Sequence, residues 1–344
     1  MISSICIVRL SALGDVLMLV PLIRTLQASL PEASLTWIIS RPAFDLVEGM
    51  DGIEFIVIDK PKNLIDYWQF KKQLNSRTFD VLLASQASFR TNLLYPLIKA
   101  KRKIGYDAHR GNDGHCWFVH ERIIPGHDHT LDGFLKFAEP LGVKKKVIRW
   151  DLPISETDYE WASQQLPKQG PILVVNLAAS KPERSWLVER YIEVMRQAQQ
   201  KWRVHIVLTG GPGEHDKLLA DKVVQEISVT NLVGKTKPKQ LLAVLSKAQA
   251  VLCPDTGPSH MSAAVNTPVV ALHAVTNPFV SGPYTFQHLV VNRYPQAAEQ
   301  ILGLKSKQHV WGTHVHGSES MKLISVDDVM GKLAEIFKSS HRPT

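Results

Sequence analysis

Cysteine is scarce in this 344-residue chain: Cys6, Cys116 and Cys253 are odd in number and far apart. That excludes a disulfide framework or a CxxC-type zinc site and fits a reducing cytoplasm. Long apolar runs are missing too. No stretch of about 18 residues is apolar enough to span a bilayer. The opening MISSICIVRL lacks the n-region and h-region of a signal peptide, so a cytoplasmic, soluble protein is expected, free to rest on a membrane. Neither G-x-G-x-x-G nor G-x-x-x-x-G-K-[ST] occurs, which disfavours dinucleotide redox chemistry and P-loop hydrolysis. H-E-x-x-H is absent as well, and His127-Asp128-His129 is too isolated to be a metal site, so no metal or other cofactor is expected. Acidic residues are outnumbered, 32 against 40 Lys and Arg, for a net charge of +8. Such a balance suits an anionic partner: nucleic acid, a membrane surface or a phosphorylated small molecule.

What is present is alternation. ICIVRL, LTWII, FIVID and VLLAS read as strands, separated by segments of helical period at 15–30, 42–48 and 63–76. Residues 144–156, KKKVIRWDLPISE, break the pattern and read as a linker. Alternation resumes with ILVVNL, VHIVLTG, TNLVG, AVLCP and PVVALH, with helices near 187–200, 214–227, 237–247 and 257–265. The expected fold class is α/β with two Rossmann-like doubly wound domains, 1–150 and 151–324, whose ligand crevices lie at the carboxyl ends of the strands and face a central cleft. Residues 325–344 form a closing amphipathic helix, with the option of packing back on the first domain.

The informative residues stand just after strands. In VRLSALGDVLMLVPLIRTL, Asp15 sits where a strand hands over to a helix. There it either caps the helix or serves as a base. In VLCPDTGPSHMSAAV, Thr256 and Ser259 offer hydroxyls and Gly257 clears space beside a helix N-terminus, which makes a site for a diphosphate. The alternative is that Asp255 and Ser259 only cap that helix. NLAASKPERSW carries Ser180, Lys181 and Arg184, either solvated charges or a cation held over a leaving group. LTGGPGEHD ends at Glu214, an N-cap or a partner for a sugar hydroxyl. Between residues 90 and 110, Arg90, Lys99, Lys101, Arg102, Lys103 and Arg110 face only Asp107, either as a solvated face or as a grip on an anionic ligand or leaflet.

The pairing of S-A-L-G-D-V with P-D-T-G-P-S-H resembles the bacterial lipopolysaccharide heptosyltransferases, glycosyltransferase family 9, of GT-B fold. SFRTNLLYPLIKAKRKIGYD and LDGFLKFAEPLG look closest to the heptosyltransferase I type. The resemblance implies an enzyme that moves heptose from ADP-heptose to Kdo of a Kdo-lipid A acceptor, at the cytoplasmic face of the inner membrane. It implies Asp15 as general base. It places Ser180 and Arg184 near the phosphates, where the family often has Thr and Lys, Glu214 near the ribose, Thr236 near the base, and Asp255, Thr256, Gly257 and His260 around diphosphate and sugar. An anionic acceptor makes Arg90, His127 and His129 its candidate ligands. A helix N-terminus favours ionised Asp15 and weakens it as a base, so proton transfer is expected late, once the attacking oxygen is acidic. The alternatives are a family 9 enzyme with another donor or acceptor, and a non-catalytic nucleotide-sugar or nucleic-acid binder. No RNA-binding signature or aromatic platform supports nucleic acid, and no nucleic-acid partner is expected.

Overall fold

The computed structural model describes residues 2–305, 312–317 and 319–339. The chain divides into two compact units, Met1–Pro153 and Ile154–Thr344.

Among its described residues, the first unit has six parallel strands: β1 (Ser4–Val8), β2 (Ser34–Ser40), β3 (Glu54–Ile58), β4 (Thr78–Ala84), β5 (Lys99–Gly105) and β6 (Glu121–Arg122), in the order β3-β2-β1-β4-β5-β6. Its helices are α1 (Leu13–Ser29), α2 (Arg41–Val47), α3 (Leu64–Gln73), α4 (Phe89–Asn92) and α5 (Thr130–Leu135). β1 and the end of β4 are covered on both faces, which is why ICIV and VLLA carry no polar alternation. β5 was not expected as a strand. Its cations, read as a grip on an anionic ligand or leaflet, are largely spent inside the unit: Lys101 pairs with Asp80 at 2.7 Å, Arg102 makes two bonds to Glu121, and Lys103 donates to the Tyr95 carbonyl. Arg110 is buried and reaches the Gly126 carbonyl and Asp128. The pairing corrects that reading. Charges that look unopposed along the chain are neutralised across the sheet.

Part of the expected linker is also part of this unit. Pro21 lies inside α1 and has no N–H to give to the Leu17 carbonyl one turn earlier. The Trp150 indole N–H supplies that bond at 2.9 Å. Arg24, buried on the same helix, donates to the carbonyls of Trp150 and Asp151. We expect Trp150→Phe to cost about 1–3 kcal/mol by leaving a buried carbonyl unpaired. In a Pro21→Ala background the same change costs less, because the alanine N–H restores the missing donor; urea unfolding of the four proteins measures the cycle.

The second unit repeats the plan. Its described strands β7 (Ile172–Asn176), β8 (His205–Thr209), β9 (Thr230–Asn231), β10 (Ala250–Pro254), β11 (Val269–His273) and β12 (Val291–Asn292) are parallel, in the order β12-β11-β10-β7-β8-β9. Counted from each unit's first strand, the two orders are the same. The helices are α6 (Glu156–Gln165), α7 (Val188–Trp202), α8 (Glu214–Glu226), α9 (Pro238–Ser246), α10 (Gly257–Ala264), α11 (Pro278–Ser281), α12 (Tyr294–Leu302) and α13 (Val326–Ser339). α13 packs on α7, β11 and β12, with Val329, Leu333 and Phe337 buried in this unit's core and the Phe337 ring stacked on Trp202 at 4.8 Å. Its apolar face is therefore consumed in this unit's core, and residues 340–344 of the expected helix lie outside the described residues.

In both units chain order reverses between the first and fourth strands, β1 and β4 in one, β7 and β10 in the other. A doubly wound sheet opens a ligand crevice at the carboxyl ends of those strands.

Candidate active site

The crevice of the first unit is built on a half-buried ion pair. Arg9 follows β1, and its guanidinium donates to the Ser85 carbonyl at the end of β4 at 2.8 Å, lies 5.2 Å from the Phe134 ring centroid, and pairs with Asp15 Oδ2. Burial opposes the Arg9 charge, yet the neighbouring carboxylate raises its proton affinity above the ordinary guanidinium value. Neighbouring strands pin the loop: the Gln86 side chain accepts from Leu10 N–H at 2.7 Å, and the Trp37 indole donates to the Arg9 carbonyl at 3.1 Å.

Asp15 stands at the third position of α1, where Oδ2 also accepts the Ala12 N–H at 3.2 Å. The cap is therefore real. Only one oxygen is used for it. Oδ1 has no partner among the described residues, and the side chain is 30% exposed. One oxygen of the carboxylate is fixed and the other is left open.

Arg90, exposed on α4, borders a cavity of about 420 Å³ with Leu10, Ser11 and Gln86. His127 is exposed in the turn leading to α5. His129 is buried, and its Nδ1 accepts the Leu131 N–H at 3.1 Å, which commits that nitrogen to capping α5. Sequence reasoning passed over Arg9; its only mark was a cation at the end of an apolar strand.

The crevice of the second unit centres on Asp255, the residue after β10. Its Oδ2 accepts the Thr276 hydroxyl at 2.7 Å and Arg184 Nη1 at 3.2 Å, so it reaches sideways and does not cap α10. Burial alone would raise the Asp255 pKa, but His273, the Thr276 hydrogen bond, Arg184 and His260 together hold it below the usual carboxylate range. Ser259 does not cap with its side chain either, since its hydroxyl donates to the Thr256 carbonyl at 2.7 Å. Thr256 occupies the N-cap position without a side-chain cap bond, and Gly257 opens the helix. The capping alternative is thereby corrected: none of these side chains caps α10, whose Ser259 N–H donates to the Thr256 carbonyl at 3.0 Å.

The remaining candidates lie along the carboxyl ends of β7, β8 and β9. Ser180 and Lys181 are exposed on the β7 loop that delivers Arg184. Glu214 begins α8 and is exposed, while the reach back to the Gly211 N–H is made by Asp216 at 2.8 Å. Thr236 is half-buried just before α9. The loops carrying Glu214 and Thr236 meet closely: Gly234, at φ +72°, donates to the Gly210 carbonyl, and a Cβ there would sit 3.2 Å from Pro212 Cα. A further flank is formed by His314 and His316, to which the sequence reading gave no role. Val315 N–H donates to the Val275 carbonyl at 2.8 Å, and His316 bonds Glu183 of the β7 loop at 2.8 Å. Burial, then the cations of Arg184 and Lys181, lower the His314 pKa.

Each unit thus carries charged side chains at its crevice, Asp15 with Arg9 in the first and Asp255 with Arg184 in the second. Residues 67–303 match the model of glycosyltransferase family 9 (heptosyltransferase). The chain belongs to glycosyltransferase family 9. It is 36% identical over 339 residues to the lipopolysaccharide core heptosyltransferase OpsX of Haemophilus influenzae, covering 97% of this chain and 96% of the relative. That name differs from the heptosyltransferase I type expected on the motif blocks. Among solved structures, the family 9 glycosyl transferase of Veillonella parvula superposes with a TM-score of 0.81 at 20% identity, covering 98% of this chain and 97% of that one. E. coli heptosyltransferase WaaC, solved with ADP-2-deoxy-2-fluoro heptose, gives 0.71 at 19%, covering 96% and 99%. The protein is a family 9 glycosyltransferase with the α/β, GT-B fold.

Proposed function

We propose that this family 9 enzyme transfers heptose from ADP-heptose to Kdo of a Kdo-lipid A acceptor in the lipopolysaccharide inner core, with inversion at the anomeric carbon. The observation that carries the reading is the half-committed Asp15: Oδ2 is held by Arg9 and Ala12, and Oδ1 is left open. The names of OpsX and of the WaaC complex support the sugar and the nucleotide.

In this reading Asp15 Oδ1 takes the proton of the attacking Kdo hydroxyl. As the oxygen bonds to the anomeric carbon, the bond to the diphosphate breaks and ADP departs with the electron pair. Arg184 and the N-terminus of α10 meet the charge that grows on the diphosphate, aided by Ser180, Thr256 and Gly257. Glu214 takes the ribose hydroxyls, Thr236 borders the base, and Asp255 and His260 hold the sugar side of the site. Arg90 and His127 meet the acceptor carboxylates, with His129 behind them in the α5 cap. The proposed reaction takes no divalent ion as cofactor; added chelator is expected to leave the rate unchanged. The enzyme works in the cytoplasm, against the anionic inner-membrane leaflet that holds its acceptor.

The test is incubation of the purified protein with ADP-heptose and Kdo-lipid A, with mass detection of one added heptose. Product from UDP-sugars in place of ADP-heptose would overturn the donor assignment. The OpsX likeness favours a second reading, another inner-core acceptor, and transfer to a core already bearing heptose in preference to Kdo would establish it.

A further inference from the structure

Helix α3 has two faces of opposite kind. Asp66, Gln69, Phe70 and Gln73 line a cavity of about 790 Å³ that also includes Ser11 and Ala12, the residues leading to Asp15. On its other side Leu64, Ile65 and Trp68 are 85%, 64% and 62% exposed. Single exposed apolar residues are ordinary on a protein surface. Three in helical register on one short helix form a stripe.

Cations frame that stripe. Lys62 is exposed just before it, Lys71 and Lys72 follow in the last turn, and the Lys72 ammonium lies 5.5 Å from the Trp68 ring centroid. The carboxylate within the helix is already engaged, since Asp66 Oδ2 accepts the N–H groups of Lys62 and Asn63. The patch extends onto α4, where Phe89 is 65% exposed and the Arg90 carbonyl accepts the Tyr67 hydroxyl at 3.0 Å.

We infer that α3 and the start of α4 form the face on which the protein rests against an anionic membrane surface, bringing the Asp15 crevice to a lipid-linked acceptor. This rests on the lipid-linked acceptor proposed above. Charge complementarity selects the occupant: aliphatic and Trp side chains enter the headgroup boundary while flanking lysines meet lipid phosphates. A protein interface of this size is depleted in lysine at its centre. Of the β5 cations, the other candidates for this contact, Lys101 and Arg102 are already paired within the first unit.

The test uses the whole protein and vesicles of phosphatidylcholine with or without phosphatidylglycerol. Wild type sediments with the anionic vesicles and is released as salt rises. Lys71→Ala with Lys72→Ala weakens that binding roughly 30-fold. Leu64→Ser with Trp68→Ser weakens it about tenfold or more even at low salt. Circular dichroism confirms that both variants fold. On a deacylated, water-soluble acceptor the Leu64→Ser, Trp68→Ser enzyme keeps its rate; on acceptor embedded in vesicles it loses it. Wild type that stays in the supernatant, variants that bind as tightly as wild type, or a wild-type dimer that Trp68→Ser dissolves each overturn the inference. Vesicle binding without transfer to either acceptor strikes the proposed reaction and leaves the docking face standing.

Discussion

Asp15→Asn is expected to lower kcat by roughly 10²–10⁴-fold, the range for loss of a positioned general base, while KM for the nucleotide sugar moves little. The substitution separates the observed capping bond from the proposed proton acceptance. Asparagine still offers an oxygen to the Ala12 N–H, so the capping bond at 3.2 Å survives in outline. The negative charge beside Arg9 is lost, and with it the proton acceptor at Oδ1. Removing one partner of a fully buried ion pair costs about 3–5 kcal/mol, but Asp15 is partly exposed, so the cost here falls below that range. A purely structural Asp15 would show activity falling only as far as the folded fraction falls. The decisive measurement is therefore kcat per folded molecule, with the folded fraction taken from thermal denaturation of the same sample. Unchanged turnover per folded molecule removes the base from the mechanism. Arg9→Lys supplies the companion experiment: lysine keeps the charge but cannot reach Ser85 and Asp15 with a fixed planar fork, so kcat falls with donor KM preserved.

Much of the strand and helix order was legible because apolar runs and turn residues act locally. The strands near ICIV, WII and AVLCP lie where β-branched residues cluster between capping and glycine signals. β5 escaped because KAKRKIG has the composition of a solvated face, and the groups that neutralise Lys101 and Arg102, Asp80 and Glu121, lie 21 and 19 residues away on neighbouring strands. The unit boundary falls inside the expected linker, but the contacts of its first half were not legible. Nothing near Trp150 announces that Pro21 has left a carbonyl without a donor at Leu17. At the site, strand-end loops carried the candidates, but spacing could not tell a cap from a ligand. Asp255 looks like a helix cap from its neighbours. Its partners are Thr276 and Arg184, 21 and 71 residues distant. His129 went the other way: a proposed acceptor ligand has one ring nitrogen committed to a cap.

Asp255→Asn is expected to destabilise the second unit by about 3 kcal/mol at neutral pH, within the range for breaking a buried, hydrogen-bonded ion pair. Both partners are well buried, with side chains 17% and 10% exposed for Arg184 and Asp255. The substitution keeps size and an oxygen for the Thr276 hydroxyl, so most of the loss is electrostatic. Its pH dependence follows from the direction of the shift. Burial pushes the Asp255 carboxyl towards protonation, but His273, Thr276, Arg184 and His260 outweigh it and hold the folded-state value below the unfolded one. A depressed carboxyl stabilises the fold above the unfolded value, about pH 4, and that contribution drains away as pH falls through the folded value. The gap between wild type and Asp255→Asn should therefore be full at neutral pH and close as the solution is acidified below about pH 4. Urea unfolding at stepped pH reads this directly; a gap that stays constant into acid would mean that the ionised carboxylate is not what stabilises the crevice. Arg184→Ala removes one of the groups that depress the value, so its acid loss begins at a higher pH than in wild type. The same change takes a cation from the proposed diphosphate site, raising KM for the donor by about ten- to a hundredfold, and Arg184→Lys recovers part of it. Loss of acid stability without loss of donor affinity would make Arg184 a partner of Asp255 alone, and the diphosphate would then have to be met by the α10 N-terminus.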